Sequence, residues 1–236
     1  MNEPLVLLPG MMCDARLFGP QIAELSCDTA VTVAPITMGE RIEEIASGLL
    51  DILPKRFALA GAAMGGVVAM EILRRAPDRV GRIALMDTHP LAGTPVEAAN
   101  REPQIVKVRS GRLAEIMRTE IPATALAPGP YRNEVLALVE EMAQTLGPDV
   151  FIRQARAMQR RKDQQATLRR CRVPTLVMCG AYDTVNPVKR HEFMAELIPY
   201  AQLCVLEHSG HLPTLEQPDE ATAALRRWLK QPYVLQ

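Results

Sequence analysis

The chain has 236 residues, of which 48% are hydrophobic and 23% are charged, values that fit one large globular domain with a sizeable core. Its formal net charge is zero, so the composition gives no reason to expect nucleic acid or an anionic membrane as a partner. The N-terminal sequence MNEPLVLLPG has an apolar run too short for a signal peptide, and no segment approaches the roughly 18 apolar residues of a transmembrane helix. The five cysteines include no CxxC pair, which indicates reduced thiols in a cytoplasmic protein rather than a metal site.

The N-terminal part of the chain alternates short apolar runs with segments that have apolar residues at helical spacing. Such alternation predicts an α/β protein with right-handed βαβ crossovers and a mostly parallel sheet covered by helices on both faces. Ligand sites in such sheets lie at the carboxyl ends of the strands. We predict strands at 5–8, 30–34, 57–60 and 80–86, and helices at 41–53 and 67–75.

Residues 61–66, GAAMGG, form a sharp turn between the strand at 57–60 and the helix that follows it. A strand that turns through glycines directly into a helix is the setting of the nucleophile elbow, G-x-S-x-G, in which a serine occupies a strained backbone position. The glycines are present at Gly61 and Gly65, whereas Ala63 stands where the motif has serine. A methyl group cannot attack a carbonyl carbon, so this chain should not catalyse acyl transfer through that position.

The alternation of strands and helices lapses between residues 91 and 172. Helices are predicted at 103–118, 131–146 and 149–161, with breaks at Pro122, 128–130 and 147–148. Residues 101–172 hold 14 Lys and Arg against 8 Asp and Glu, so this part of the neutral chain is positive and the remainder is negative. A positive segment could attract a small-molecule substrate that has a carboxylate group.

Two sets of side chains are candidates for contacts with such a substrate. The candidates for carboxylate recognition are Arg109, Arg112, Arg153 and Arg156, and the candidates for an apolar pocket are Met12, Met117, Met142 and Met158. Each arginine could instead lie on a solvated helix face, and each methionine could instead pack in the core.

After residue 172 the alternation of strands and helices resumes. Strands are predicted at 174–179 and 202–206, and helices at 188–198 and from 218 onwards. The first of these strands leads into Gly180-Ala181-Tyr182-Asp183, and the second leads into a loop that contains Gly210-His211.

The elbow at 61–66, the G-x-x-D of 180–183 and the Gly210-His211 loop together resemble the α/β-hydrolase superfamily, and the resemblance covers nearly the whole chain. It implies an α/β-hydrolase fold whose core domain consists of residues 1–90 and 173–236. It also implies a helical cap of residues 91–172, inserted after the sixth strand. Few residues precede the first predicted strand, so the sheet is expected to lack one or two strands that larger relatives have.

The resemblance further implies a role for each motif. The chain order of the family is nucleophile, acid and histidine, which corresponds here to Ala63, Asp183 and His211. The oxyanion hole of the family uses one backbone N–H from the loop after the first strand and one from the residue after the nucleophile. These positions are Met11 and Met64. Predicted strands are followed by Met11, Ala63, Asp87, Asp183 and His211, so we expect these five residues at one edge of the sheet.

Other residues compete for some of these roles. Asp87 follows the strand at 80–86 and is a second candidate for the acid, and His208 is a second candidate for the base. His89 is expected in a loop and His191 on a helix surface. No histidine pair has metal-ligand spacing near a carboxylate, and the chain has no dinucleotide-binding or Walker motif, so neither a metal nor a cofactor is expected.

The resemblance implies a serine hydrolase of a small carboxylic ester or lactone, with an amide as the next substrate type, acting through a Ser-His-Asp acyl-enzyme mechanism. Ala63 then marks an inactive form in which alanine replaces the serine of a parent enzyme. One alternative is a hydrolase that cleaves a C–C bond of a diketone-type substrate. Another is a naturally inactive hydrolase that serves as a receptor for a small ligand. The sequence does not specify an oligomeric state.

Overall fold

The computed structural model describes residues 3–233, and its central feature is a six-stranded sheet in which every pairing is parallel. The spatial order of the strands is β2-β1-β3-β4-β5-β6. The chain passes from β1 to β2 on one side and then crosses back to β3 on the other side of β1. The loops after β1 and β3 therefore diverge and leave a crevice at their carboxyl ends. The strands are β1 (Leu5–Leu8), β2 (Val31–Val33), β3 (Phe57–Ala62), β4 (Val80–Met86), β5 (Thr175–Gly180) and β6 (Ala201–Leu206).

Eleven α-helices lie within the described residues, and most of the predicted ones are present. The single helix predicted at 103–118 is wrong, because two helices meet at Gly111, whose φ of 86° favours glycine. The helix predicted at 67–75 begins at Met64, directly after the turn. The helices are α1 (Gly19–Leu25), α2 (Ile42–Ile52), α3 (Met64–Arg75), α4 (Pro95–Arg109), α5 (Leu113–Glu120), α6 (Arg132–Leu146), α7 (Pro148–Gln159), α8 (Gln165–Arg169), α9 (Val188–Leu197), α10 (Pro213–Glu216) and α11 (Pro218–Leu229).

Both faces of the sheet are buried under helices. Successive residues of a strand point to opposite faces, so Leu5 and Leu7 pack on the side of α1 and α11, together with Trp228. Val6 and Leu8 pack on the side of α2, α3 and α9. This arrangement confirms the predicted class, a mostly parallel sheet covered by helices on both faces.

Helices α4 to α8 form one helical segment between β4 and β5. The predicted position of this segment, after a sixth strand, is not confirmed, because four strands precede it in the described residues. Gln154 of α7 joins the segment to the crevice. Its side-chain oxygen accepts a hydrogen bond from the N–H of Met12 (2.8 Å), and its side-chain nitrogen donates to the carbonyl of Ile36 (3.1 Å).

Within residues 3–233, no helix has the length and apolar character needed to cross a membrane.

The elbow fits against the first strand only because residue 65 lacks a side chain. A Cβ at Gly65 would overlap the carbonyl oxygens of Leu8 and Pro9, which are backbone atoms and cannot rotate away. We therefore expect Gly65→Ala to lower the free energy of unfolding by at least about 2 kcal/mol, measured by urea denaturation. The control is Gly48→Ala on the exposed face of α2, where a Cβ would meet nothing within 4 Å. That change should raise the free energy by up to about 1 kcal/mol, and similar losses in both variants would contradict the packing argument.

Candidate active site

Ala63 occupies a strained turn between β3 and α3. Its backbone angles are φ 46° and ψ −113°, a region that residues with a side chain rarely adopt. The N–H of Ala63 donates to the carbonyl of Met86 (2.9 Å), and its own carbonyl accepts from the hydroxyl of Thr88 (2.8 Å). Gly61 and Gly65 allow the turn to close, because a Cβ at either residue would overlap neighbouring backbone. Two bonds from the next strand thus hold the geometry of a nucleophile elbow, although the side chain is a methyl group.

His211 and Asp183 form a buried hydrogen-bonded pair. The Nδ1 of His211 lies 2.8 Å from Oδ2 of Asp183, and both residues are almost inaccessible to solvent. The other carboxylate oxygen of Asp183 accepts from the backbone N–H groups of Val185 (2.8 Å) and Asn186 (2.9 Å). A carboxylate at Nδ1 holds the proton on that nitrogen and leaves Nε2 as the basic nitrogen of the ring.

Glu216 holds the loop that contains His211. Its carboxylate accepts hydrogen bonds from the N–H groups of Gly210 (2.9 Å) and Leu212 (2.9 Å), the residues on either side of the histidine. It also accepts from the N–H of Ala127 (2.7 Å) in the helical segment. One side chain therefore fixes the histidine loop and joins it to the helices above. No sequence pattern marks Glu216, because its partners are backbone groups that only the fold brings near.

The loop after β1 is a tight turn. The N–H of Cys13 donates to the carbonyl of Gly10 (3.1 Å), and Met12 adopts a φ of 56°. The side chain of Met12, a candidate for the substrate pocket, is fully buried in the core instead. The N–H of Met12 donates to the side-chain oxygen of Gln154 (2.8 Å), which fixes the backbone of the turn.

The backbone N–H groups of Met11 and Met64, the two candidates for an oxyanion hole, have no hydrogen-bond partner within residues 3–233. Met64 is the first residue of α3, so its N–H belongs to the unpaired first turn of a helix. Both residues line the same cavity as Ala63 and His211. The two N–H groups are thus free to bind an anionic oxygen, which is the requirement for this role.

Asp87 is a second buried carboxyl group beside the pair. One of its oxygens accepts a weak hydrogen bond from the N–H of Gly180 (3.3 Å), and the other has no partner within the described residues. Burial raises the pKa of Asp87 well above its ordinary value, and the nearby carboxylate of Asp183 raises it further. The raised pKa favours the protonated, uncharged form of Asp87. The imidazole of His211 bonds to Asp183 and not to this second candidate acid.

Ligand atoms of Asp87, Asp183 and His211 lie within 4.8 Å of one another, a grouping of the kind that can bind a metal ion. Their hydrogen bonds indicate a different use. Both oxygens of Asp183 are already engaged, one by two backbone N–H groups and the other by the imidazole. The grouping is therefore satisfied as a hydrogen-bonded network, with Asp87 at its edge.

His191 lies inside the protein, so its predicted position on a helix surface is wrong. Its ring is fully buried, and Nε2 accepts a hydrogen bond from the N–H of Thr88 (3.1 Å). Burial lowers the pKa of His191 to about 4, so the ring is neutral at pH 7 and can act as an acceptor. Through Thr88, which bonds to the carbonyl of Ala63, it supports the elbow. His208, the second candidate base, is exposed to solvent.

A cavity of about 200 Å³ opens beside Ala63 and His211. Met117 and Met158 line it, as predicted for an apolar pocket, whereas Met142 is buried in the core. The cavity is bounded below by the elbow and the turn after β1, and above by α4, α5 and α7.

None of the four arginines proposed for carboxylate recognition lines this cavity. Arg109 and Arg112 are exposed at the junction of α4 and α5. Arg153 donates to the carbonyl of Thr37 (2.9 Å), and Arg156 lies 2.6 Å from Glu40. The prediction failed because the sequence does not specify which way each helix face is turned. The arginines that do line the cavity are Arg101, Arg161 and Arg190.

Comparison with known proteins extends over nearly the whole chain. A sequence model described as "Alpha/beta hydrolase family" matches residues 5–225. The chain is 26% identical over 250 residues to a pimeloyl-(acyl-carrier protein) methyl ester esterase of Aromatoleum aromaticum, and the match covers 95% of this chain and 98% of that protein.

Two solved structures are similar in fold. A thermophilic esterase from Thermogutta terrifontis, solved with malate bound, has a TM-score of 0.88 and 28% identity, over 98% of this chain and 90% of that chain. The enol-lactonase from Burkholderia xenovorans has a TM-score of 0.84 and 23% identity, over 98% of this chain and 93% of that chain. At 23% identity, the similarity to the enol-lactonase establishes the fold alone.

The raised pKa of Asp87 predicts a dependence of stability on pH. Because its pKa is raised in the folded protein, the folded state keeps a proton that the unfolded chain releases above its ordinary pKa of 3.8. The contribution of Asp87 to the free energy of unfolding is therefore fully present below about pH 4 and falls as the pH rises above that value. Asp87→Asn keeps the shape of the neutral acid without titrating, so its stability relative to the parent should increase from pH 4 to pH 7. Urea denaturation at each pH measures this, with Asp51→Asn on the exposed surface of α2 as the control. An Asp87→Asn difference that is constant with pH would contradict the raised pKa of Asp87.

The buried ring of His191 makes the stability depend on pH in the opposite direction to Asp87. Its pKa is lowered from 6.5 to about 4, so below pH 6.5 the unfolded chain binds a proton that the folded protein excludes. This contribution to the free energy of unfolding is present above pH 6.5 and is lost at up to about 1.4 kcal/mol per pH unit as the pH falls towards 4. His191→Gln can still accept from the N–H of Thr88 and does not titrate. We expect its urea denaturation midpoints to fall less between pH 6.5 and 4.5 than those of the parent, and an equal fall would argue against the lowered pKa.

Proposed function

The chain belongs to the alpha/beta hydrolase family, and from that premise we propose that its site is that of a serine hydrolase of small carboxylic esters or lactones, with alanine at the nucleophile position. Amides are the next substrate type. The observation that supports this most directly is that Ala63, His211 and the N–H-bearing residues Met11 and Met64 line one cavity. A nucleophile, a base and an oxyanion site must share one space for acyl transfer.

With serine at residue 63, each group has a defined task. His211 would take the hydroxyl proton on Nε2 as the oxygen attacks the carbonyl carbon, while Asp183 stabilises the imidazolium through Nδ1. The N–H groups of Met11 and Met64 would bind the oxyanion of the tetrahedral intermediate. His211 would then protonate the leaving alcohol. A water molecule activated by the same histidine would release the acid and restore the serine.

In this proposal the helices between β4 and β5 act as a cap over the site. Residues 91–172 form a cap over the core of residues 1–90 and 173–236, and the substrate binds between the two. Met117 and Met158 from the cap provide apolar contacts to the acyl or alcohol group. The salt bridges of Arg101 with Glu120 (2.7 Å) and of Arg161 with Glu97 (2.8 Å) stiffen the cavity wall.

The relatives support the choice of ester chemistry. The protein from Aromatoleum aromaticum is a methyl ester esterase, and the protein from Thermogutta terrifontis is an esterase that was solved with malate, a dicarboxylate. An acyl group of the size of malate is compatible with a cavity of about 200 Å³.

Ala63 makes the present chain unable to form an acyl-enzyme. In a comparable serine enzyme, loss of the nucleophile alone lowers kcat by a factor of about 10⁶. We infer that the chain is the inactive form of a parent with serine at 63. The same alanine also favours a second candidate, a naturally inactive hydrolase that binds a small ligand in the intact pocket.

The test is to install the hydroxyl group. Ala63→Ser should hydrolyse p-nitrophenyl acetate or butyrate, or a small lactone, at least about 10³-fold faster than the parent chain. The double variant Ala63→Ser/His211→Gln is the control, and it should lose this gain because the serine then lacks its base. Hydrolysis rates are measured by absorbance for the p-nitrophenyl esters and by pH-stat for the lactones.

An Ala63→Ser variant that keeps the circular dichroism spectrum and melting temperature of the parent, yet is inert towards esters, lactones and amides, would contradict the proposal. Cleavage of a diketone-type substrate with no ester hydrolysis would favour the C–C hydrolase instead. Tight binding of a small ligand by the parent chain, together with an inert serine variant, would favour the receptor.

A further inference from the structure

The charges of the side chains that line the cavity do not sum to zero. Among the described residues, five such side chains line it: Glu97, Arg101, Glu120, Arg161 and Arg190. Four of them form the two salt bridges described above, Arg101 with Glu120 and Arg161 with Glu97. Arg190 is the fifth, and it has no carboxylate within salt-bridge distance in residues 3–233. The cavity wall therefore has one uncompensated positive charge.

Arg190 is held in place by a neutral partner. It lies in the first turn of α9 and is half-buried, and its Nη1 donates to the side-chain oxygen of Asn186 (3.3 Å). The side-chain nitrogen of Asn186 donates in turn to the backbone carbonyl of Asp87 (2.7 Å). The amide thus orients the guanidinium group without neutralising it. The other N–H groups of the guanidinium bond to no atom of the described residues.

The titratable groups around Arg190 do not compensate its charge. His89 lines the same cavity, and burial lowers its pKa to about 4, as do the charges of Arg161 and Arg190. His191 on α9 is also neutral at pH 7. Asp183 accepts its hydrogen bonds from His211, Val185 and Asn186 and forms no salt bridge with Arg190. A half-buried cation that faces neutral rings and a second, paired arginine attracts an anion from solution.

We propose that Arg190 is the recognition site for a carboxylate group of the substrate, so that the enzyme acts on a small ester or lactone that has one free carboxylate. This substrate class rests on the proposed function, since the ester carbonyl must lie at residue 63 while the carboxylate lies at Arg190. A planar guanidinium group with free N–H donors can bind both oxygens of a carboxylate. One uncompensated charge matches one carboxylate. Of the arginines that the sequence suggested for this task, Arg109 and Arg112 are exposed. Arg153 and Arg156 are engaged by Thr37 and Glu40 away from the cavity.

Binding to the chain as it exists tests the site without any catalysis, because Ala63 leaves an ester intact. Isothermal titration calorimetry compares monomethyl glutarate, which has one carboxylate, with dimethyl glutarate, which has none. We expect the parent to bind the monoester at least tenfold more tightly than the diester. Arg190→Gln should lose that preference and leave diester binding unchanged, and Arg190→Lys should keep part of it. Arg109→Gln, which removes an exposed arginine outside the cavity, is the matched control and should behave like the parent.

The same substitutions in the Ala63→Ser background separate this inference from the proposed function. There Arg190→Gln should raise KM for the monoester at least tenfold with little change in kcat, and should leave the diester kinetics unchanged. If Ala63→Ser hydrolyses both esters and Arg190→Gln affects them equally, the carboxylate site is wrong and the hydrolase stands. If Ala63→Ser hydrolyses neither these esters nor the p-nitrophenyl esters, lactones and amides, but the parent binds the monoester through Arg190, the carboxylate site stands and the hydrolase is wrong. Equal binding of the two esters by the parent would overturn the carboxylate site. Melting temperatures of all variants establish that each is folded.

Discussion

A side chain at residue 65 would occupy the space of the Leu8 carbonyl oxygen, and this close approach of two backbones is the constraint on which the site depends. It presses the start of α3 against the end of β1, so that the turn after β1 and the elbow after β3 face the same cavity. The same kind of contact recurs at Gly210, where a Cβ would overlap the carbonyl oxygen of Ala125. Both loops that would act on a substrate are therefore placed by backbone contact, which leaves little freedom for small shifts.

The backbone of Ala63 is strained although the residue has no hydroxyl group. A residue with a side chain in this region costs of order 1–3 kcal/mol, and the bonds to Met86 and Thr88 keep it there. The N–H of Thr88 is in turn held by the buried ring of His191. The geometry that a nucleophile requires is thus built by the neighbouring strand and by α9, independently of the residue at position 63. The strained turn is therefore present although residue 63 has no hydroxyl group.

The electrostatics of the site follow from burying two carboxyl groups side by side. Asp183 has three hydrogen-bond donors and remains the partner of His211, whereas Asp87 has one weak donor. Burial raises the pKa of the poorly hydrogen-bonded Asp87, and the adjacent carboxylate of Asp183 raises it further. In the cavity wall, by contrast, Arg190 has no carboxylate within salt-bridge distance among the residues that the structure describes. The site therefore has two buried carboxyl groups behind the histidine and, in the cavity wall, an arginine without a salt bridge among residues 3–233.

The sequence by itself determined the strands, the elbow and the proximity of Asp183 and His211, because each depends on a short local pattern followed by the edge of a parallel sheet. It also indicated a helical segment between two halves of the core. Tertiary structure alone decided the break at Gly111, the burial of His191 and Met12, and the contacts of Glu216 and Gln154, because these depend on which helix face is covered and on backbone groups far apart in the chain. Tertiary structure also decided which arginines line the cavity. A sequence shows how many positive residues a segment has, but only packing decides which are paired and which face the cavity.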